Sequence, residues 1–203
     1  MKKEIILIGG GGHCRSCIDV IEQTGEYRIA GIVDSPDKKG EKVLGVEIIA
    51  NDEDLPELVK KYKLFLITVG QIKTSNTRRT LFEIVNGLGG IFPVIVSPNA
   101  YVSHHATIHS GTIIMHHAIV NTGAVIGKNC IVNTRSLVEH DARVGKHCHL
   151  ATGSIINGRV VVADEVFLGS GSVVREDIHI GEKSIIGCNA TVKNNVEPRE
   201  MIR

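Results

Sequence analysis

Taking every sixth residue from Val102 to Val192 meets sixteen positions, and all sixteen are Val, Ile or Leu. Neither a helix, with its period of 3.6, nor an ordinary strand, with its period of 2, produces such a register. A six-residue period held over some ninety residues requires a repeating unit that turns the chain by the same angle each time. The position four residues after each aliphatic is usually small, as at Ala106, Thr112, Ala118, Ala124, Cys130, Ser136, Ala142, Cys148, Ser154, Ser172, Ser184 and Ala190. Glycine often follows the aliphatic directly, as at Gly127, Gly145, Gly169, Gly181 and Gly187. These features describe a triangular solenoid. Each hexad is a short strand plus a tight corner, three hexads make a coil, and the aliphatics stack inside the prism. Composition agrees: hydrophobic residues are 42% of the chain while aromatics are 3%, so the core must be built from aliphatics.

The first 98 residues are organised differently. Glu4–Ile8 reads as a strand running into Gly9-Gly10-Gly11-Gly12, followed by a helical pattern from His13 to about Gln23. Arg28–Val33 reads as a second strand ending at Asp34, and strand Leu64–Val69, helix Thr77–Val85 and strand Ile91–Ile95 continue the alternation. This pattern predicts a small Rossmann-like α/β domain with a parallel sheet over residues 1–98, and a β-helix over 99–203, joined at Ser97-Pro98-Asn99.

Several function classes are excluded early. Lys plus Arg number 23 against 22 Asp plus Glu, with no basic stripe, which argues against nucleic acid as a partner. No stretch is long and apolar enough for membrane insertion, and Lys2 to Ile8 is too short for an export signal. Five cysteines without a paired framework point to a reducing, cytoplasmic compartment. Cys14-x-x-Cys17 is read as two buried thiols in preference to a redox pair.

The glycine run after the first strand leaves backbone N–H groups at a helix N-terminus, suited to a phosphate. Asp34 stands where an acidic residue meets a ribose in dinucleotide folds. The run continues into His13-Cys14-Arg15 without a full G-x-G-x-x-G, so a nucleotide-linked sugar is favoured over NAD. Nine of the ten histidines lie in the repeat half. His140 stands out because it falls on an outward corner, two places after Val138, with Asp141 following and Glu139 preceding. An imidazole beside a carboxylate is what a general base needs. His149 lies nine residues on, one and a half faces away, so the two histidines of one chain do not share a pocket. Copies of them could meet if prisms packed around a threefold axis.

The stretch Asn133-Thr134-Arg135-Ser136-Leu137-Val138-Glu139-His140-Asp141, together with the glycine-rich α/β half, resembles hexapeptide-repeat sugar acetyltransferases of the NeuD (sialic acid O-acetyltransferase) and PglD (bacillosamine N-acetyltransferase) type. The resemblance implies a left-handed parallel β-helix, a homotrimer and acetyl-CoA as cosubstrate without a metal. It implies acetylation of an amino sugar or sialic-acid-type sugar, free or nucleotide-linked, for cell-surface glycan synthesis. It further implies His140 as general base oriented by Asp141, with Asn133 and His149 lining the acceptor pocket. Gly158 falls at the carbonyl-binding position, and Gly169 and Gly187 lie on the coils that hold the coenzyme. Gly11, Gly12, His13 and Asp34 match the nucleotide-sugar site. Asp141 is one methylene shorter than the glutamate of the bacillosamine enzymes.

Three other readings compete with this one, of which sugar nucleotidyltransferases with appended β-helices need a phosphate loop rich in Gly, Thr and Arg that Gly9–Cys14 does not supply. The zinc-binding carbonic anhydrases of the same prism need two histidines five apart and a third 36 residues upstream. His104 and His109 supply the pair, but Thr68 occupies the third position. A non-catalytic trimeric scaffold for a sialic acid synthesis enzyme remains the alternative to catalysis.

Overall fold

A computed structural model describes residues 2–203, which form two compact units. One comprises residues up to Gly70 together with Asn76–Ile95, and the other comprises Gln71–Ser75 and Val96–Arg203.

In the first unit, β1 (Lys3–Ile8) leads through the glycine run into α1 (Gly12–Thr24), which ends on the left-handed Gly25. Then follow β2 (Tyr27–Val33), a short hairpin of β3 (Lys42–Val43) and β4 (Val46–Ala50), α2 (Leu55–Lys61), β5 (Leu64–Ile67) and α3 (Asn76–Gly87). The sheet order is β3-β4-β2-β1-β5, parallel except for β3. The central β1 buries Ile5, Ile6, Leu7 and Ile8, as a strand covered on both faces must. The hairpin and α2 were not expected from the sequence. The expected strand Ile91–Ile95 is corrected. Only Ile91 bridges to Leu64, and the chain is next extended at Ile95–Val96. Pro93 lacks the N–H that a continuing ladder requires.

The second unit is a left-handed parallel β-helix. Its sixteen hexads form sixteen two-residue strands, from Tyr101–Val102 to Thr191–Val192. Each residue pairs with the one eighteen positions on, for example Val120 with Val138 and Val138 with Ile156. With Ile95–Val96 and Met201–Ile202 added at the ends, three parallel sheets of six, five and seven strands result. The second residue of each hexad strand points inward. It is buried in fourteen of the sixteen hexads, with Val102 and Ile108 half-buried at the first coil. The small residues Ala118, Ala124, Cys130, Ala142 and Cys148 complete this core.

The corners are as regular as the strands. Every sixth residue from Gly111 to Asn189 has a positive φ, and ten of these fourteen are not glycine. A left-handed conformation costs such residues about 1–2 kcal/mol each. The turn is satisfied from the neighbouring coil: Asp141 N–H donates to Thr122 O at 3.1 Å and Arg159 N–H to His140 O at 3.0 Å. One consequence runs through the whole unit. Turn residues eighteen apart stand directly above one another.

Candidate active site

His140 and Asp141 occupy the corner that follows strand Leu137–Val138. His140 Nδ1 lies 3.0 Å from Asp141 Oδ2, and its backbone N–H donates to Glu139 Oε2 at 3.1 Å. With a carboxylate acceptor at Nδ1, the proton belongs on that nitrogen and the lone pair on Nε2. The His140 side chain is 46% exposed at this corner. The ring lies against Gly158, one coil away. A Cβ built there would sit 2.7 Å from Nε2 and 2.8 Å from Cε1. His140, Asp141 and Gly158 therefore converge within one chain.

Gly123, one coil before Asp141, was not singled out from sequence. A Cβ at Gly123 would lie 2.3 Å from Asp141 Oδ1. Its spacing of eighteen from Asp141 is a signal the hexad register makes available. One coil beyond Asp141, Arg159 is held by Asp177 through two bonds of 2.7 Å, from Nε to Oδ1 and from Nη2 to Oδ2. That pairing holds the Asp177 carboxyl below its ordinary range.

Asn133 and His149 form a second cluster, in the seven-stranded sheet. Asn133 Nδ2 donates to His149 Nε2 at 3.2 Å, and Asn133 Oδ1 accepts from Thr134 N–H at 2.8 Å. His149 Nδ1–H donates to Gln71 O at 2.6 Å, and the Phe167 ring meets the imidazole edge-on at 5.3 Å. At 8% exposure, and with both nitrogens engaged, His149 is built into the sheet. The same segment is tied again where Ser75 Oγ donates to Glu165 Oε2 at 2.5 Å. Sequence offered no warning that Gln71–Ser75 belongs to the β-helix unit.

Gly169 and Gly187 stack one coil apart. A Cβ at Gly169 would come within 2.6 Å of the backbone of Gly187 and Cys188, and one at Gly187 within 3.1 Å of Ile202 O. Close approach of successive coils is sufficient reason for glycine at both.

In the α/β unit, the carboxyl ends of β1, β2, β4 and β5 open into a cleft of about 370 Å³ lined by Gly9, Val33, Asp34, Asn51, Thr77 and Leu81 among others. This is where open α/β sheets take ligands. Gly9 adopts φ +105°, and a Cβ there would meet Val69 at 2.5 Å. Gly10 N–H donates to Asp34 Oδ2 at 2.6 Å, while Asp34 Oδ1 accepts from Ser35 N–H at 2.7 Å and from Lys38 Nζ at 3.1 Å. Burial pushes the Asp34 carboxyl up, but the bonds from Ser35, Gly10 and Lys38 outweigh it and hold it below the ordinary carboxylate range. Gly11 caps α1 and Gly12 begins it, both with open space where a side chain would stand. His13 Nε2 lies 3.4 Å from Cys17 Sγ. Burial pushes the Cys14 thiol up to about 11 against a bond from Thr68, and the fully buried Cys17 higher, so neither forms a thiolate near neutrality.

Among the described residues, no group of three or more His, Cys, Asp or Glu is placed to hold a metal ion. No helix there is long and apolar enough to cross a membrane.

The PglD N-terminal domain family matches residues 4–85. No curated protein sequence matches the chain. Among solved structures, perosamine N-acetyltransferase from Caulobacter crescentus is 30% identical, with a TM-score of 0.92 over 98% of this chain and 92% of that one. That structure is a variant with a histidine replaced by asparagine, in complex with CoA and GDP-perosamine. The acetyltransferase domain of PglB from Neisseria gonorrhoeae, in complex with acetyl coenzyme A, is 26% identical, with a TM-score of 0.88 over 97% and 94% of the two chains. WeeI from Acinetobacter baumannii shares the fold at 20% identity, with a TM-score of 0.87 over 98% and 96%.

Proposed function

Because this chain belongs to the PglD-like family of sugar acetyltransferases, we propose that it moves the acetyl group of acetyl-CoA onto the amine of a nucleotide-linked amino sugar, with His140 as general base. The observation that carries the reading is the His140–Asp141 pair lying over Gly158. Asp141 keeps the proton on Nδ1 and leaves Nε2 to accept one from the acceptor amine. The amine nitrogen attacks the thioester carbonyl directly and a tetrahedral intermediate forms. Its oxyanion is supported by the backbone N–H of Gly158. The C–S bond then breaks, and the proton held on Nε2 passes to the departing thiolate. Ser97 Oγ lies 2.6 Å from His116 Nδ1 and Cys17 Sγ 3.4 Å from His13 Nε2, but both Ser97 and Cys17 are buried, which favours direct attack over a covalent route.

The nucleotide moiety is assigned to the α/β cleft. Gly11, Gly12 and His13 bring the start of α1 to the phosphates. Asp34 organises the glycine loop through Gly10 and presents its remaining acceptor capacity to the ribose side. The coenzyme lies along the later coils that carry Gly169 and Gly187. Asn133 contacts the acceptor, and His149 acts through it by fixing the Asn133 amide.

The active assembly is a homotrimer. Five of the six outward residues of the six-stranded sheet form an apolar ladder, Tyr101, Ile119, Leu137, Ile155 and Val173, with Thr191 at its end, whereas the five-stranded sheet presents Thr107, Val125, Arg143, Val161 and His179. An outward apolar ladder of this kind supports burial against another copy. It borders the His140 corner. Five free thiols, four of them buried, support a cytoplasmic setting, where sugar donors for cell-surface glycans are made.

Incubation of the purified protein with acetyl-CoA and GDP-perosamine, a UDP-linked amino sugar or free sialic acid, followed by thiol release and mass spectrometry of the product, tests this reading. Transfer to an amine on a nucleotide-linked sugar is expected. Transfer only to a sialic acid hydroxyl reverses the acceptor assignment. No transfer to any of the three favours the accessory-scaffold alternative.

A further inference from the structure

We infer that Gly123 is a positioning residue of the acetyl-transfer site: by leaving its own turn bare, it lets the Asp141 carboxylate seat against the coil in the one orientation that holds His140. The inference rests on His140 being the base for its effect on turnover, but not for its effect on the imidazole. The distances set out the case. Asp141 uses Oδ2 to hold His140 Nδ1 at 3.0 Å. Its other oxygen, Oδ1, occupies the space over Gly123 where a Cβ would lie 2.3 Å away. Ordinary contact begins near 3.4 Å, so a methyl group at position 123 must push that oxygen by about an ångström. The two oxygens share one rigid carboxyl group, so Oδ2 moves with Oδ1 and the bond to Nδ1 is lost.

Backbone conformation does not explain the glycine. Gly123 has φ +71°, but ten non-glycine residues hold equivalent corners at φ between +55° and +62°, among them Arg135, His147 and Lys183. The fold tolerates side chains at this turn. Two glycines at equivalent corners separate the possible effects. Gly153, at φ +67°, has nothing within 4 Å of a built Cβ. Gly171, at φ +68°, would place its Cβ 2.3 Å from Asn189 Oδ1, reproducing the clash at a corner without His140. Gly153→Ala therefore reads turn strain alone, Gly171→Ala reads strain plus an equal collision, and Gly123→Ala adds the displacement of Asp141.

The test compares Gly123→Ala, Gly153→Ala, Gly171→Ala and His140→Ala with the parent, each checked for a cooperative melt. The first readout is the ¹⁵N imidazole spectrum of His140 with the ring neutral. The proton is expected on Nδ1 in the parent and in the Gly153 and Gly171 variants, and distributed over both nitrogens in Gly123→Ala. The second is turnover with acetyl-CoA and GDP-perosamine. There kcat of Gly123→Ala is expected about 10-fold below that of the two control variants, with KM for acetyl-CoA little changed. In an Asp141→Ala background the same substitution adds no further loss. A His140 spectrum in Gly123→Ala that matches Gly153→Ala overturns the inference, as does an equal loss in the Asp141→Ala background. A changed spectrum with normal turnover in both Gly123→Ala and His140→Ala keeps the positioning and removes His140 as the base.

Discussion

Asp34 and Asp141 are both carboxylates seated where a glycine lacks its side chain, and the two regions of the molecule use them oppositely. A Cβ on Gly10 would lie 2.8 Å from Asp34 Oδ2, and one on Gly123 would lie 2.3 Å from Asp141 Oδ1. Asp34 is enclosed, and accepts from two backbone amides and Lys38. Asp141 is exposed and holds one imidazole. The first carboxylate is committed to the shape of a loop, while the second fixes a tautomer and leaves Nε2 as the accepting nitrogen. A binding loop gains from charge spent on its own backbone. A proton acceptor gains from being held at one atom only.

Removing each carboxylate should therefore break different things. Asp34→Ala takes away three bonds to an ionised acceptor and should cost the α/β unit about 2–3 kcal/mol at neutral pH. Because the folded-state value of Asp34 is lowered, its contribution is complete above the ordinary carboxylate range and fades as pH falls through the lowered value. Melts of parent and variant between neutral pH and pH ~3 should accordingly converge in acid. A gap that stays constant down to that pH would show that the charge of Asp34 is not what holds the loop.

The β-helix should be less forgiving of added volume than of turn strain. Gly169→Ala forces a methyl against the Gly187 and Cys188 backbone, and should destabilise by about 1–3 kcal/mol. Gly153→Ala, with open space, should cost less. Equal melting temperatures for the two would contradict the close-packed account of Gly169, and a weakened affinity for acetyl-CoA without destabilisation would make that glycine a coenzyme contact.

Much of this unit was legible because one number governs it. Once the period of six was recognised, Val138, Ile156 and Val174 had to stack inward and His140 had to stand on a corner. The same register makes Gly158 a neighbour of His140 and Gly123 a neighbour of Asp141, although only the family resemblance points to Gly158 and Gly123 was not singled out. What it could not reveal was direction within a corner: whether Asp141 turns to its own neighbour or to Arg159, one coil on. The α/β unit was legible only in outline. Its strands and helices alternate in recognisable patterns, but Pro93 ended a strand that aliphatic content suggested. The role of Gly10 depends on a hydrogen bond to a residue 24 positions away. Likewise His149 is expected from the resemblance to line the acceptor pocket. It is 8% exposed, packed against Phe167, and donates to the Gln71 carbonyl from a distant stretch of chain.

His149 offers the mildest test. If it acts by fixing the Asn133 amide, His149→Ala should lower kcat/KM by a few-fold, of order 1 kcal/mol for one lost orienting bond, and Asn133→Ala should add little on top of it. Fully additive losses would mean that the two residues act separately.

The central claim is that the exposed corner supplies the base. It is tested most directly by His140→Ala, assayed for kcat and for KM of both substrates on GDP-perosamine and acetyl-CoA. The imidazole stands outside the core, so the fold should persist. Turnover should fall by about 100-fold or more with both KM values near those of the parent. Near-normal turnover in a folded His140→Ala protein would contradict the account.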